Sequence, residues 1–170
     1  MDSGEFNLAD FVPYRLSVLT ARVSKLLASI YEQRFGLTMP EWRVMVHVAR
    51  CEKVSVREIH NCVNLEKPSV SRAVTKLVSA GLLAKTTSTQ DQRLVEIELT
   101  KAGRRVLDEL LPEALAVEAS LMSALSPQEQ AQLSDLMERL HAQLDITPRA
   151  PKRSGRDTDH SAAARMPACN

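Results

Sequence analysis

A mainly α fold carrying one small β-hairpin is what this 170-residue sequence predicts. Three observations lead there. Apolar residues recur at spacings of three and four over most of the chain, which is the helical period. Two short stretches, Leu82–Thr86 and Leu94–Leu99, read instead as strands; the second alternates Val95, Ile97 and Leu99 with Glu96 and Glu98. Helix-starting residues, Ser or Thr followed by Pro or Glu, stand where one periodic run gives way to the next.

The first helix is expected from about Asn7 to Arg34, on a stripe of Leu16, Leu19, Val23, Leu26, Leu27 and Ile30. Gly36 suits its end, since glycine takes the left-handed conformation at no steric cost. Thr38 can cap a second helix, with Pro40 in its first turn and Glu41 completing a capping box. "VSV" at 54–56 has room only for a bridging strand. Ser55 also suits the cap of a short third helix, Val56–Val63, with Glu58 three residues on. The stretch Glu66–Leu83, "EKPSVSRAVTKLVSAGLL", then forms a fourth helix started by Pro68 and ended by Gly81. Its apolar side is Val70, Ala73, Val74, Leu77 and Val78. Its other side is Ser69, Arg72, Thr75, Lys76 and Ser79, with no outward acid. After the strands and their polar connection "TSTQDQR", Thr100 caps a long helix to about Leu125. Pro112 should kink or break that helix. "SPQE" at 126–129 starts a last one, to about Leu144. Beyond Ile146 the periodicity ends, and a disordered basic tail is expected over 146–170.

Composition narrows the class. Hydrophobic residues make up 44% and charged residues 25%, as in one globular domain with an appended arm. No run is apolar enough for a membrane span, and no secretory signal is visible, so no membrane partner is expected. Cys51, Cys62 and Cys169 are odd in number and lack CxxC spacing, which suits a reducing cytoplasm rather than a disulfide framework. The net charge of +1 hides an uneven distribution. Residues 53–101 sum to +3, residues 102–145 to −5, and residues 146–170 to +3. A basic middle can therefore exist in a nearly neutral chain. No Gly-rich phosphate loop, GxSxG, HExxH or supported carboxylate pair appears, so an enzyme is not expected, nor is a cofactor.

Two short helices joined by a tight turn and followed by a hairpin make a winged helix-turn-helix. The stretch "EKPSVSRAVTKLVSAGLL", with "DQR" at 91–93 and "LTKAG" at 99–103, resembles the signature of the MarR family of bacterial transcription regulators over about residues 10–145. The resemblance implies a homodimer. Residues 10–36 and 100–145 would be the dimerisation helices around a winged helix-turn-helix at 38–99, behind a flexible 1–9 segment. It also implies repression of transcription, relieved by a small ligand or an oxidant.

The residues themselves fit that expectation. A helix that reads DNA needs an outer face thin enough for the major groove. Ser69, Ser71 and Thr75 are short donors for phosphates or base edges; Arg72 can reach guanine in bidentate fashion. Lys67, beside Pro68, and Lys76 suit phosphates. In the wing, Arg93 resembles the family's minor-groove arginine, with Asp91 holding its guanidinium. Gln92 and Lys85 stand where the family usually has further basic residues. The family's ligand pocket lies between dimer helices and DNA-binding lobe. Tyr14, Arg15, Arg22, Trp42, Arg43 and His47 could line it, suiting an aromatic acid or aryl thioester. For each of them, core packing or surface ion pairing is the competing reading. Cys62, just before the fourth helix, opens a redox alternative, against that of a buried inert thiol. His47 and Cys51 share a helical face, but no second such pair stands nearby, so no metal is expected. A winged-helix module for an acidic protein partner is the alternative outside DNA binding.

Overall fold

The computed structural model describes residues 6–51, 54–63, 65–87 and 95–150. A single 3-10 turn, Leu8–Asp10, precedes α1, Val12–Phe35. There follow α2 (Met39–Cys51), β1 (Val54–Ser55), α3 (Val56–Cys62), α4 (Lys67–Ser79), β2 (Leu83–Thr87), β3 (Val95–Leu99), α5 (Lys101–Met122) and α6 (Pro127–Asp145). The three strands form one antiparallel sheet in the order β1-β3-β2, with Val54 opposite Ile97 and Leu83 opposite Leu99. The mainly α fold with a small wing is therefore present as the sequence predicts. Among the described residues, no helix is long and apolar enough to cross a membrane.

Several boundaries differ from expectation; β2, expected over Leu82–Thr86, is shifted by one residue to Leu83–Thr87. The first helix does not run unbroken from Asn7. Asn7 caps the 3-10 turn by accepting from the Ala9 amide at 3.0 Å, Phe11 is extended, and Pro13 stands in the first turn of α1. Proline lacks the amide that a continuous helix would need there. Pro112 does not break α5, which continues through it to Met122 and stops short of Leu125. The third helix ends at Cys62, one residue before the expected Val63. The connection 88–94, holding Asp91 and Arg93, lies outside the described residues, as do most of the basic tail and the side chain of Cys62.

Local chemistry accounts for the helix starts. Ser55 and Glu58 form a complete capping box at α3, and Ser126 and Glu129 do the same at α6. At α2 the Thr38 amide donates to Glu41 Oε2 at 2.7 Å. Gly36 and Gly81 both have positive φ, at 63° and 72°, and end α1 and the turn after α4. The core is the meeting of α2, α3, α4, the sheet and the first half of α5. Val44, Met45, Val48, Ile59, Val70, Val74, Leu77, Leu83, Ile97, Leu107 and Leu110 are all at most 2% exposed. Each such side chain contributes roughly 1.5–3 kcal/mol by leaving water.

The start of α5 is tied to the end of α4. The Thr100 hydroxyl donates to the Gly81 carbonyl at 2.7 Å and accepts from the Gly103 amide at 3.0 Å. Gly103 is buried, and a Cβ there would fall onto the Leu82 carbonyl oxygen and lie 2.8 Å from Leu99 Cδ2. The glycine is required by this close approach of helix to backbone, which "LTKAG" alone does not explain.

Glu41 is the charged group at the heart of this lobe. It is 3% exposed, and its Oε1 lies 3.0 Å from Lys76 Nζ on α4. Burial pushes its pKa up, but hydrogen bonds from Thr38 and Lys76 and the lysine charge outweigh this, so the net shift is below the ordinary 4.5. A depressed folded-state pKa gives stability that is complete above the unfolded value and is lost as pH falls through the folded one.

Two outcomes are expected. Gly103→Ala should lower the free energy of unfolding by about 1–3 kcal/mol through overpacking, read as a lower urea midpoint; an unchanged midpoint would refute the close-approach account. Glu41→Gln should be less stable than the wild type at neutral pH, and the gap should close as pH falls below 4.5. A gap independent of pH would mean that the carboxylate charge contributes nothing.

Candidate nucleic-acid interface

The surface of interest begins with the stripe that hides the other side of α4. Val70, Ala73, Val74 and Leu77 are buried at i, i+3, i+4 and i+7. They pack among core residues of α2, α3 and the sheet, including Ile59 and Val63. This seat fixes the rotation of α4, so the residues between them must face out. Lys67, Pro68, Ser71, Arg72, Thr75, Lys76 and Ser79 are exposed, and Ser69 is half-buried. Every sequence-predicted residue of this helix thus shares one outward surface.

Its side chains are not equivalent. The Thr75 hydroxyl donates to the Ser71 carbonyl at 2.9 Å, which folds it down onto its own helix. Arg72 Nη2 donates to Ser69 Oγ at 3.3 Å, so the guanidinium lies along the helix toward its N-terminus. Among the described residues no carboxylate is paired with Arg72. Lys76 differs. Its place in the sequence suits a phosphate; the fold sets Glu41 of α2 beside it. Read along the chain, Glu41 is a helix cap and α4 has no acid of its own. The acid laid beside Lys76 comes from another helix.

Between the start of α2 and α4 lies a cleft of about 220 Å³, lined by Thr38, Pro40, Glu41, Ser69, Arg72, Ala73 and Lys76. Ser69, Arg72 and Lys76 form one wall, and Glu41 supplies the buried acid opposite.

The suggested ligand residues fall into two groups. Tyr14, Arg15 and Arg22 are exposed along the first turns of α1. Tyr31, seventeen positions beyond Tyr14 and so about 26 Å along the axis, is where Trp42 packs. Those rings stack with centroids 6.5 Å apart and planes 15° apart. Trp42 is half-buried against the core, while Arg43 is exposed and its Nη1 donates to the Val63 carbonyl at 3.4 Å. Burial and neighbouring Glu32 push the Tyr31 hydroxyl above its ordinary pKa, with Arg43 opposing. His47 is buried, with Nε2 3.6 Å from Cys51 Sγ. Within one chain, then, Trp42, Arg43 and Tyr31 are neighbours, and Tyr14, Arg15 and Arg22, nearer the start of α1, lie apart from them. Tyr31 is not among the candidates read from the sequence; its spacing of four from Leu27 makes it look like ordinary stripe. Among the described residues no cluster suited to a metal occurs.

Comparison with known proteins identifies the fold and its family. An HTH-type transcriptional regulator of Bacillus cereus is 28% identical over 119 residues, 69% of this chain and 79% of that protein. A MarR/EmrR family regulator from Acinetobacter sp. ADP1 superposes with a TM-score of 0.74 at 26% identity, covering 82% of this chain and 99% of the other. Two more distant structures share the fold. One is Bordetella bronchiseptica BpsR, whose DNA binding is regulated by 6-hydroxynicotinic acid (TM-score 0.71, 21% identity, 81% and 97% covered). The other is NadR in complex with 4-hydroxyphenylacetate (TM-score 0.61, 22% identity, 82% and 96% covered). The family description "Transcriptional regulator SarA/Rot" matches residues 26–110, which enclose α2, the helix-turn-helix, the wing and the start of α5. With half its length matched and MarR-type regulators as its structural neighbours, the chain belongs to the SarA/Rot family of winged-helix transcriptional regulators.

Proposed function

We propose that this regulator is a homodimeric repressor that reads a pseudo-palindromic operator through α4 and leaves it when an aromatic acid or aryl thioester binds. The observation that carries the reading is the outward face of α4. It has short hydroxyls, no acid of its own, and an arginine with no carboxylate partner among the described residues. Such a face can enter the major groove, where Arg72 would take guanine and Lys67 a phosphate. Asp91 and Arg93 of the wing would add a minor-groove contact.

The dimer rests on apolar surface that one chain leaves uncovered. On α6, Leu136, Met137, Leu140 and Leu144 are about half exposed, and no residue of that helix is buried. On α1, Val12, Leu16, Leu19 and Leu26 are similarly open, as is Phe11 just before it. Contiguous apolar surface of this kind marks an interface. A second copy would cover both helices, leaving residues 38–99 of each chain for DNA, and half-sites about one helical turn apart would follow from the symmetry. The ligand class rests on the Tyr31–Trp42 stack beside Arg43, and on the aromatic acids bound or sensed by proteins of the same fold. In a dimer, Tyr14, Arg15 and Arg22 of either chain would be further candidates.

Gel-shift titrations test the DNA reading. Arg72→Ala should weaken operator binding by roughly tenfold and relax its preference, in line with ~1–3 kcal/mol for a bidentate base contact. Arg93→Ala should reduce affinity mainly on A/T-rich flanks. Unchanged affinity in both variants would favour a module for an acidic protein partner instead. Calorimetric titration with phenolic acids and their CoA thioesters should give heat, and release of DNA at the same concentrations. No heat would exclude that ligand class, and release only by peroxide would favour a switch at Cys62.

A further inference from the structure

A lysine on the outward face of a DNA-reading helix is ordinarily assigned to a phosphate. Lys76 departs from that rule, on the DNA reading just given. Its ammonium is already 3.0 Å from a carboxylate whose side chain is only 5% exposed, while the lysine itself is 63% exposed. The two partners are thus unequal. Lys76 could regain water freely, but Glu41 could not. If Lys76 left for a phosphate, Glu41 would remain as a buried charge held only from the Thr38 side, with its Oε1 stripped of the lysine, which is costly. A solvated phosphate contact returns much less.

Arg72 makes this more than a local matter. It stands four residues before Lys76, so the two side chains are neighbours on the same helix face. Both line the cleft in whose opposite wall Glu41 is set. The hold on Arg72 among the described residues is one long hydrogen bond to Ser69, 3.3 Å. An arginine side chain reaches at least as far as a lysine, and its planar guanidinium fork suits a carboxylate in bidentate fashion. An unpaired Glu41 would therefore draw Arg72 into the cleft and away from the groove.

We infer that Lys76 is a positioning residue: it occupies Glu41, and so keeps Arg72 available to a base edge. Lys76 sets specificity without touching DNA, and Glu41 is tolerated beside the DNA-reading face because Lys76 neutralises it.

The test measures the affinity of the full chain for a duplex enriched by in vitro selection, relative to random duplex of equal length. The variants are Lys76→Met, Lys76→Arg, Glu41→Gln, and the double Glu41→Gln/Lys76→Met. Lys76→Met should cut the specificity ratio about tenfold, the effect of removing one bidentate base contact. Lys76→Arg should keep the ratio. The double variant should restore it, because a neutral amide in place of the Glu41 carboxylate no longer draws Arg72 inward. Glu41→Gln alone should steepen the salt dependence, by about 0.9 in the log–log slope for each lysine freed to reach phosphate. A direct phosphate role predicts otherwise: equal losses on selected and random duplex, and no rescue by Glu41→Gln. Either result overturns the inference. A general folding defect would lower both affinities together and leave the ratio, which also counts against it. A wild-type ratio near one would sink the sequence-specific reading itself; a high ratio without rescue sinks only the role of Lys76.

Discussion

The burial of one stripe of α4 is the constraint on which everything else depends. Val70, Ala73, Val74 and Leu77 are each nearly inaccessible, and they meet residues from α2, α3 and the sheet at once. Turning α4 about its axis by even one residue, about 100°, would expose those groups and bury Arg72 or Thr75 without partners. The cost would be several kcal/mol of lost apolar burial and more for the stranded polar groups. The core therefore dictates which side chains can face a groove. The make-up of the outward surface is a by-product of how the other side packs.

Much of this is legible in the sequence because it is local. Caps at Ser55, Thr100 and Ser126 stand where the helices start, and the alternation over Val95–Leu99 matches β3. The buried and exposed sides of α4 follow from a spacing of 3.6 residues. What escapes such a reading is non-local. Glu41 is thirty-five positions from Lys76, and no period links them. Gly103 by itself reads as a helix residue of low propensity; only the fold brings the Leu82 carbonyl beneath it. The 3-10 break before α1 shows one local rule outweighing another. Pro13 and the Asn7 cap take precedence over the apolar periodicity on either side of them.

The two surfaces differ in how they use charge. The outward side of α4 keeps its cations and excludes acids from its own sequence, while the nearby acid from α2 is admitted already neutralised. Elsewhere, α1 and α5 are joined by the Arg34–Glu113 ion pair, at a place where both side chains remain partly exposed. Such a partly exposed pair adds little stability. The buried pair within the lobe and the exposed pair between the long helices are thus unequal in what they contribute.

The staple of Thr100 and Gly103 has a mechanical consequence. It welds the base of α5 to the chain segment that ends α4, through hydrogen bonds of 2.7 and 3.0 Å and a contact too close for any side chain. The 22 residues of α5 then extend about 33 Å as one helix that continues through Pro112, where one backbone hydrogen bond is lost. A helix clamped at one end is a lever. Tilting it by ~5° at its clamped end displaces the far end by about 3 Å over that length. An event that tilted α5 at its base would therefore act through this staple on the segment that ends α4, and so on the angle at which Arg72 is presented.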